Sequence, residues 1–99
     1  MNPRTYLKYL LQDATGTETS DAVAIGQLAM RGNDEFVVQF NIAGGTATVV
    51  LEGRLAPNLP WAAIESVSEP SIKVYARIPE IRARIASNAG ATVNVLVAH

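Results

Sequence analysis

The sequence predicts an all-β fold: one antiparallel β-sandwich, jelly-roll or immunoglobulin-like, with about seven or eight short strands. Three observations carry the prediction. The stretch from residue 35 to 53, EFVVQFNIAGGTATVVLEG, alternates with period two: Phe36, Val38, Phe40 and Ile42 against Val37, Gln39 and Asn41, then Ala47, Val49 and Leu51 against Thr46, Thr48, Val50 and Glu52. Such alternation sends one set of side chains to a core and the other towards water. Turn signals recur roughly every ten residues, as in a sandwich or barrel. No segment carries the 3.6-residue apolar period of a long helix.

Residues 1–12 are open to two readings. Asn2 before Pro3 resembles a helix N-cap, with Tyr6, Leu7, Leu10 and Leu11 as one stripe. The same residues suit an extended arm leading into a strand, with Leu7, Tyr9 and Leu11 inward, and this is the preferred reading. Residues 13–99 then form the single sandwich domain. ATGTETSD reads as a loop, and DAVAIGQL as a strand with Val23 and Ile25 on one face and Gly26 as a bulge or end. RGND at 31–34 is a turn signal. Next come the two strands of residues 35–53, with Gly44 and Gly45 supplying the positive φ angles of a tight hairpin.

RLAPNLP, residues 54–60, holds two prolines and predicts a connection between layers. WAAIESV alternates weakly: Trp61, Ala63 and Glu65 against Ala62, Ile64 and Ser66. After the turn SEPS, IKVYARI predicts Ile72, Val74, Ala76 and Ile78 inward, with Lys73, Tyr75 and Arg77 outward. Past Pro79, Ile81, Ala83 and Ile85 read as inward, with Arg82 and Arg84 outward. SNAG predicts a hairpin turn, and ATVNVLV a last strand with Val93, Val95 and Val97 on one face. TATVVL and ATVNVLV carry no charge, so each is expected to be central or covered; an exposed edge of that kind pairs with other chains.

At 99 residues the chain makes one domain with a thin core. It is 48% hydrophobic and 17% charged, which favours association through apolar surface. A net charge of −1 supplies no field that draws nucleic acid or an anionic membrane. Without cysteine there is no disulfide, thiolate metal site or cysteine nucleophile. No apolar run is long enough to span a bilayer, and the N-terminus lacks a signal peptide's apolar core.

Catalytic chemistry is poorly supplied. The one histidine is His99, the last residue, and six of the nine carboxylates (Asp13, Glu18, Asp21, Asp34, Glu35 and Glu69) sit at turns, where acids are usually solvated. Neither a Cys/His cluster nor a calcium-loop pattern is present, and no cofactor is expected. Lys73, Arg77, Arg82 and Arg84 fall within twelve positions and would share an outward face if their strands were adjacent. They read first as the wet side of a half-buried sheet, and second as a basic strip docking onto an acidic protein. Trp61 reads first as a core anchor between two sheets, and second as a sugar-stacking platform.

Leu51, Glu52 and Gly53, followed by Trp61 and Ile64, resemble one motif of small β-sandwich proteins from the structural modules of tailed bacteriophages. Ile81-Arg82-Ala83-Arg84-Ile85 resembles a second, and Asn88–Gly90 with Thr92–Val97 resembles that family's closing turn and strand. Arg54–Pro60 stands where the family carries an Asp-Gly turn. The resemblance implies a non-enzymatic capsid decoration, or cement, protein on the outer surface of a phage head, made in the host bacterial cytoplasm. It would bind the major capsid protein, self-associate as a trimer or dimer, and stabilise the shell by bridging subunits, without nucleic acid or membrane. Tyr6, Leu7, Tyr9 and Leu10 of the arm, with the four basic residues, are the expected docking residues. A tail, baseplate or fibre-associated sandwich is the alternative, and a carbohydrate-binding module the next.

Overall fold

The computed structural model describes residues 7–25 and 35–99. Those residues form eight strands: β1 (Leu7–Ala14), β2 (Val23–Ala24), β3 (Glu35–Ala43), β4 (Thr46–Arg54), β5 (Ala62–Val67), β6 (Ser71–Ala76), β7 (Glu80–Ala89) and β8 (Thr92–Ala98). The front sheet runs β1-β8-β3-β6 and the back sheet β2-β7-β4-β5, with every pairing antiparallel. Pairs 1·8, 2·7, 3·6 and 4·5 roll up together, which is jelly-roll order and not immunoglobulin order. The all-β sandwich is therefore the observed fold. Tyr6, Gly26, Leu28 and the RGND turn lie outside the described residues.

The core lies between the sheets. Phe36, Val38, Phe40 and Ile42 of β3 meet Ala47, Val49 and Leu51 of β4, Ile81, Ala83 and Ile85 of β7, and Val93, Val95 and Val97 of β8. These are the inward sets that alternation picks out, and Val23 and Ile25 are buried with them. The uncharged segments TATVVL of β4 and TVNVLV of β8 both lie in central strands.

The connections differ from expectation. β3 and β4 lie in opposite sheets, so Gly44-Gly45 is an arch across the sandwich and not a hairpin turn. The same holds for the turn between β7 and β8. Two-residue glycine turns carry the same local signal in both cases; the partner strands decide which forms. Of the first pair only Gly44 has positive φ, 85°. Gly45 is needed for space: a Cβ there would fall 2.3 Å from the Ala89 carbonyl oxygen and 2.6 Å from Gly90 C. The two arches thus pack backbone against backbone. Asn88 holds the second one, its Oδ1 accepting from Ala91 N at 2.8 Å and its Nδ2 donating to the carbonyls of Ala91 and Gly16 at 3.1 Å.

Conversely, Arg54–Pro60 does not join layers. It links β4 to β5, neighbours in one sheet. The layers meet laterally at the β5–β6 link, since these are the edge strands of opposite sheets.

Two edge strands depart from their expected faces: β1 buries Leu11 as expected but turns Leu7 and Tyr9 outward, and β6 turns Ile72 and Val74 outward. In β1, register shifts fall between Tyr9 and Leu11 and again before Ala14. The extra residue sends Leu7 and Tyr9 outward, and Leu10, Leu11 and Ala14 into the core. Asp13 takes φ 51° at the second irregularity, its N–H donating to Asn94 Oδ1 at 2.8 Å. Residues 7–12 are therefore part of the sandwich, and the boundary expected after residue 12 falls inside β1.

In β6, Lys73 and Tyr75 pair with Val38 and Phe36 and turn inward, leaving Ile72 66% and Val74 54% exposed. The reason is the open seam between β5 and β6. A bulge near Ile64 brings Glu65 opposite the buried Leu51, on the inner side of β5. There Glu65 accepts from Tyr75 Oη at 2.7 Å and from Lys73 Nζ at 3.1 Å. Tyr75 also stacks its ring on Phe36, with centroids 5.4 Å apart. Long amphipathic side chains suit such a seam, burying their stems and keeping their heads at its mouth.

This clamp titrates. The Tyr75 hydrogen bond first, and then the Lys73 one, hold the Glu65 carboxyl below its usual range. Burial first, and then Glu65, push the Tyr75 hydroxyl above its usual value. A lowered carboxyl stabilises the fold above its unfolded pKa, and that share is lost as pH falls through the folded one. A raised phenol stabilises below its unfolded value of about 10, and that share is lost as pH rises beyond it. Denaturant midpoints of the native chain should therefore fall above about pH 10. Tyr75→Phe should flatten that limb, and equal slopes in both proteins would refute the clamp.

Candidate functional site

Each outer face presents a different chemistry. On the back sheet, Glu52 is the one buried charged residue among those described, lying on the outer side of β4. Arg82 Nε donates to its Oε1 at 2.8 Å and Arg84 Nε to its Oε2 at 3.4 Å. Arg54 pairs with Glu80 at 3.0 Å. Trp61 lies over this face, its ring centroid 4.2 Å from the Arg54 guanidinium and 4.6 Å from that of Arg82. Trp61 is thus half-buried on the outside and is not a core anchor. The position of Ala63 opposite Glu52 explains it: the strand leading into β5 turns this side chain outward. Cation–π contact also takes up ring surface that a sugar would use.

The four clustered basic residues do not form one strip. Lys73 sits at the seam on β6, while Arg82 and Arg84 are on β7 in the other sheet. Arg77 donates from Nη1 to the Ile25 carbonyl at 2.7 Å and from Nη2 to that of Glu35 at 3.1 Å. Close in sequence, Lys73 and Arg77 are separated from Arg82 and Arg84 by the β6–β7 crossover, and all four are engaged: Lys73 with Glu65, Arg77 with two backbone carbonyls, and Arg82 and Arg84 together with Glu52.

The front sheet's outer face is nearly uncharged. Cross-strand pairing aligns Leu7, Ala98, Val37 and Val74 in one row, and Tyr9, Leu96, Gln39 and Ile72 in the next. Leu7, Tyr9, Ile72 and Val74 are strongly exposed. Of the expected docking residues Leu7 and Tyr9 lie on this face, whereas Leu10 is buried in the core. Ile72 and Val74 were missed because alternation alone assigns them to the core. The sign that could have reassigned them is Lys73, an inward partner for Glu65.

These rows lie towards the end of the sandwich opposite the glycine arches. The β4–β5 loop extends the apolar character there: Leu55, Leu59 and Ile64 are exposed around a hollow of about 310 Å³ also lined by Gly53, Pro60, Ala62 and Ile78. Comparisons with known families, curated proteins and solved structures return no match. Among the described residues there is no group of three or more metal-ligating side chains, and no helix long and apolar enough to cross a membrane.

The chemistry on view is adhesive. Bare apolar side chains gain free energy on being covered, about 25 cal/mol per Å². The paired charges of the back sheet already satisfy one another and have little left to offer a partner.

Proposed function

We propose that this chain is a non-enzymatic virion structural protein of a tailed phage. It decorates the outer surface of the head and holds neighbouring capsid subunits together. The observation that carries the reading is the apolar end of the front sheet, where Leu7, Ile72 and Val74 stand exposed on a four-stranded, sparsely charged face. A freely dispersed domain has no use for such a face, while a cement protein needs one for an apolar surface of the shell subunit. The resemblance of its sequence motifs to those of phage sandwich proteins is in line with the same reading. The jelly roll agrees with it without selecting it, since lectins and cupins use that architecture too. Repetition over the shell would turn modest single contacts into firm attachment, and pairing with further copies as a dimer or trimer would add to it.

The test is co-sedimentation of the chain with heads from which it has been stripped. Native protein should pellet with them, and Val74→Lys should fold with an unchanged thermal midpoint but stay in the supernatant. Equal pelleting of the variant would remove the front sheet from the contact. Failure of the native chain to rebind would count against decoration itself.

A further inference from the structure

The other half of the front sheet is polar and concave. Past the row of Tyr9, Leu96 and Gln39 comes the pair Asn94 and Asn41, directly opposite one another on β8 and β3. The irregular end of β1 brings Gln12 and Asp13 beside them. Together these seven residues line a cleft of about 540 Å³, within the size range of small-ligand sites.

Four carboxamides, one carboxylate and one exposed tyrosine make an unusual lining. A carboxamide both donates and accepts, which matches an alcohol that does the same. Among the described residues, only the Asn94 Oδ1 is spent within the fold, on the Asp13 N–H; Gln12, Gln39 and Asn41 make no side-chain hydrogen bond to another described residue. Neighbouring outward positions lie about 4.8 Å apart across strands and about 6.8 Å apart along them, the span of one sugar ring. Tyr9 offers a ring on which an apolar sugar face can pack. No cation among the described residues lines the cleft, and Asp13 repels anions. Phosphates, nucleotides and acidic sugars are thereby disfavoured.

We infer that the cleft is a binding site for a neutral saccharide. It lies on the sheet opposite Trp61, so it is separate from the sugar platform that the tryptophan suggested. It borders the shell-docking face and shares the row of Tyr9, Leu96 and Gln39 with it, but Asn41, Asn94, Gln12 and Asp13 belong to the cleft alone, so substitution of Asn41 tests the cleft separately.

The experiment is a heteronuclear NMR titration with neutral oligosaccharides (glucan, galactan, mannan and N-acetylglucosamine oligomers), with polygalacturonate as the acidic comparison. A neutral member should give saturable shifts centred on the side-chain amides of Gln12, Gln39, Asn41 and Asn94, without changing Trp61 fluorescence. Asn41→Ala, an exposed substitution that should leave the thermal midpoint unchanged, should weaken binding about tenfold. Three results would overturn the proposal: no shift with any neutral probe at millimolar concentration, binding unaltered in Asn41→Ala combined with Gln39→Ala, or tighter binding of polygalacturonate.

Discussion

Gly45→Ala is expected to destabilise the domain by about 2–4 kcal/mol, among the larger effects of any single methyl addition. The added carbon would sit 2.3 Å from the Ala89 carbonyl oxygen, 2.6 Å from Gly90 C and 2.8 Å from Ala91 N. All three are backbone atoms of the opposing arch, which Asn88 fixes through two hydrogen bonds to Ala91. A flexible side chain could swing away, but these atoms cannot move without separating β7 from β8. Gly16→Ala is the control, because a Cβ there meets nothing within 4 Å. Chemical denaturation of both variants checks the claim. Equal stabilities would mean that the arches do not pack as described.

Removing residues 1–12 should unfold the domain or drive it to aggregate. The expectation of a detachable arm would leave the sandwich intact, but Leu10 and Leu11 are core residues of β1. Losing a buried leucine costs about 2–5 kcal/mol, and total stability of a domain this size is about 5–15 kcal/mol. The truncation also bares β8, whose TVNVLVA has no charge to block pairing with another chain. Light scattering and circular dichroism of the truncated protein would show this. A monomeric, native-like spectrum would mean that β1 is dispensable.

Much of the fold is legible because β3, β8 and the first half of β7 alternate strictly, with Phe36, Val38, Phe40 and Ile42, Val93, Val95 and Val97, and Ile81, Ala83 and Ile85 all buried. β4 keeps its inward set but buries Val50 and Glu52 as well, under the charge cluster of the back sheet. Edge strands broke the rule for physical reasons. β1 carries register irregularities that turn Leu7 and Tyr9 outward while Leu11 stays inward, and β6 turns a lysine and a tyrosine inward because Glu65 waits at the seam. Sheet membership was not legible either, since a Gly-Gly pair serves a hairpin and an arch equally well. For the same reason the basic residues read as a strip, although the chain crosses between sheets after Arg77. The docking face is half visible in the sequence: Leu7 and Tyr9 stand out there, whereas alternation assigns Ile72 and Val74 to the core. The saccharide cleft had no linear signature, because its amides come from three strands distant in sequence.

The measurement that bears most directly on the proposed role is the copy number of this chain on purified particles, by quantitative mass spectrometry against the major shell subunit. Decoration of the head predicts a fixed stoichiometry of one copy for every one to few shell subunits. A handful of copies per particle, or none, would contradict it.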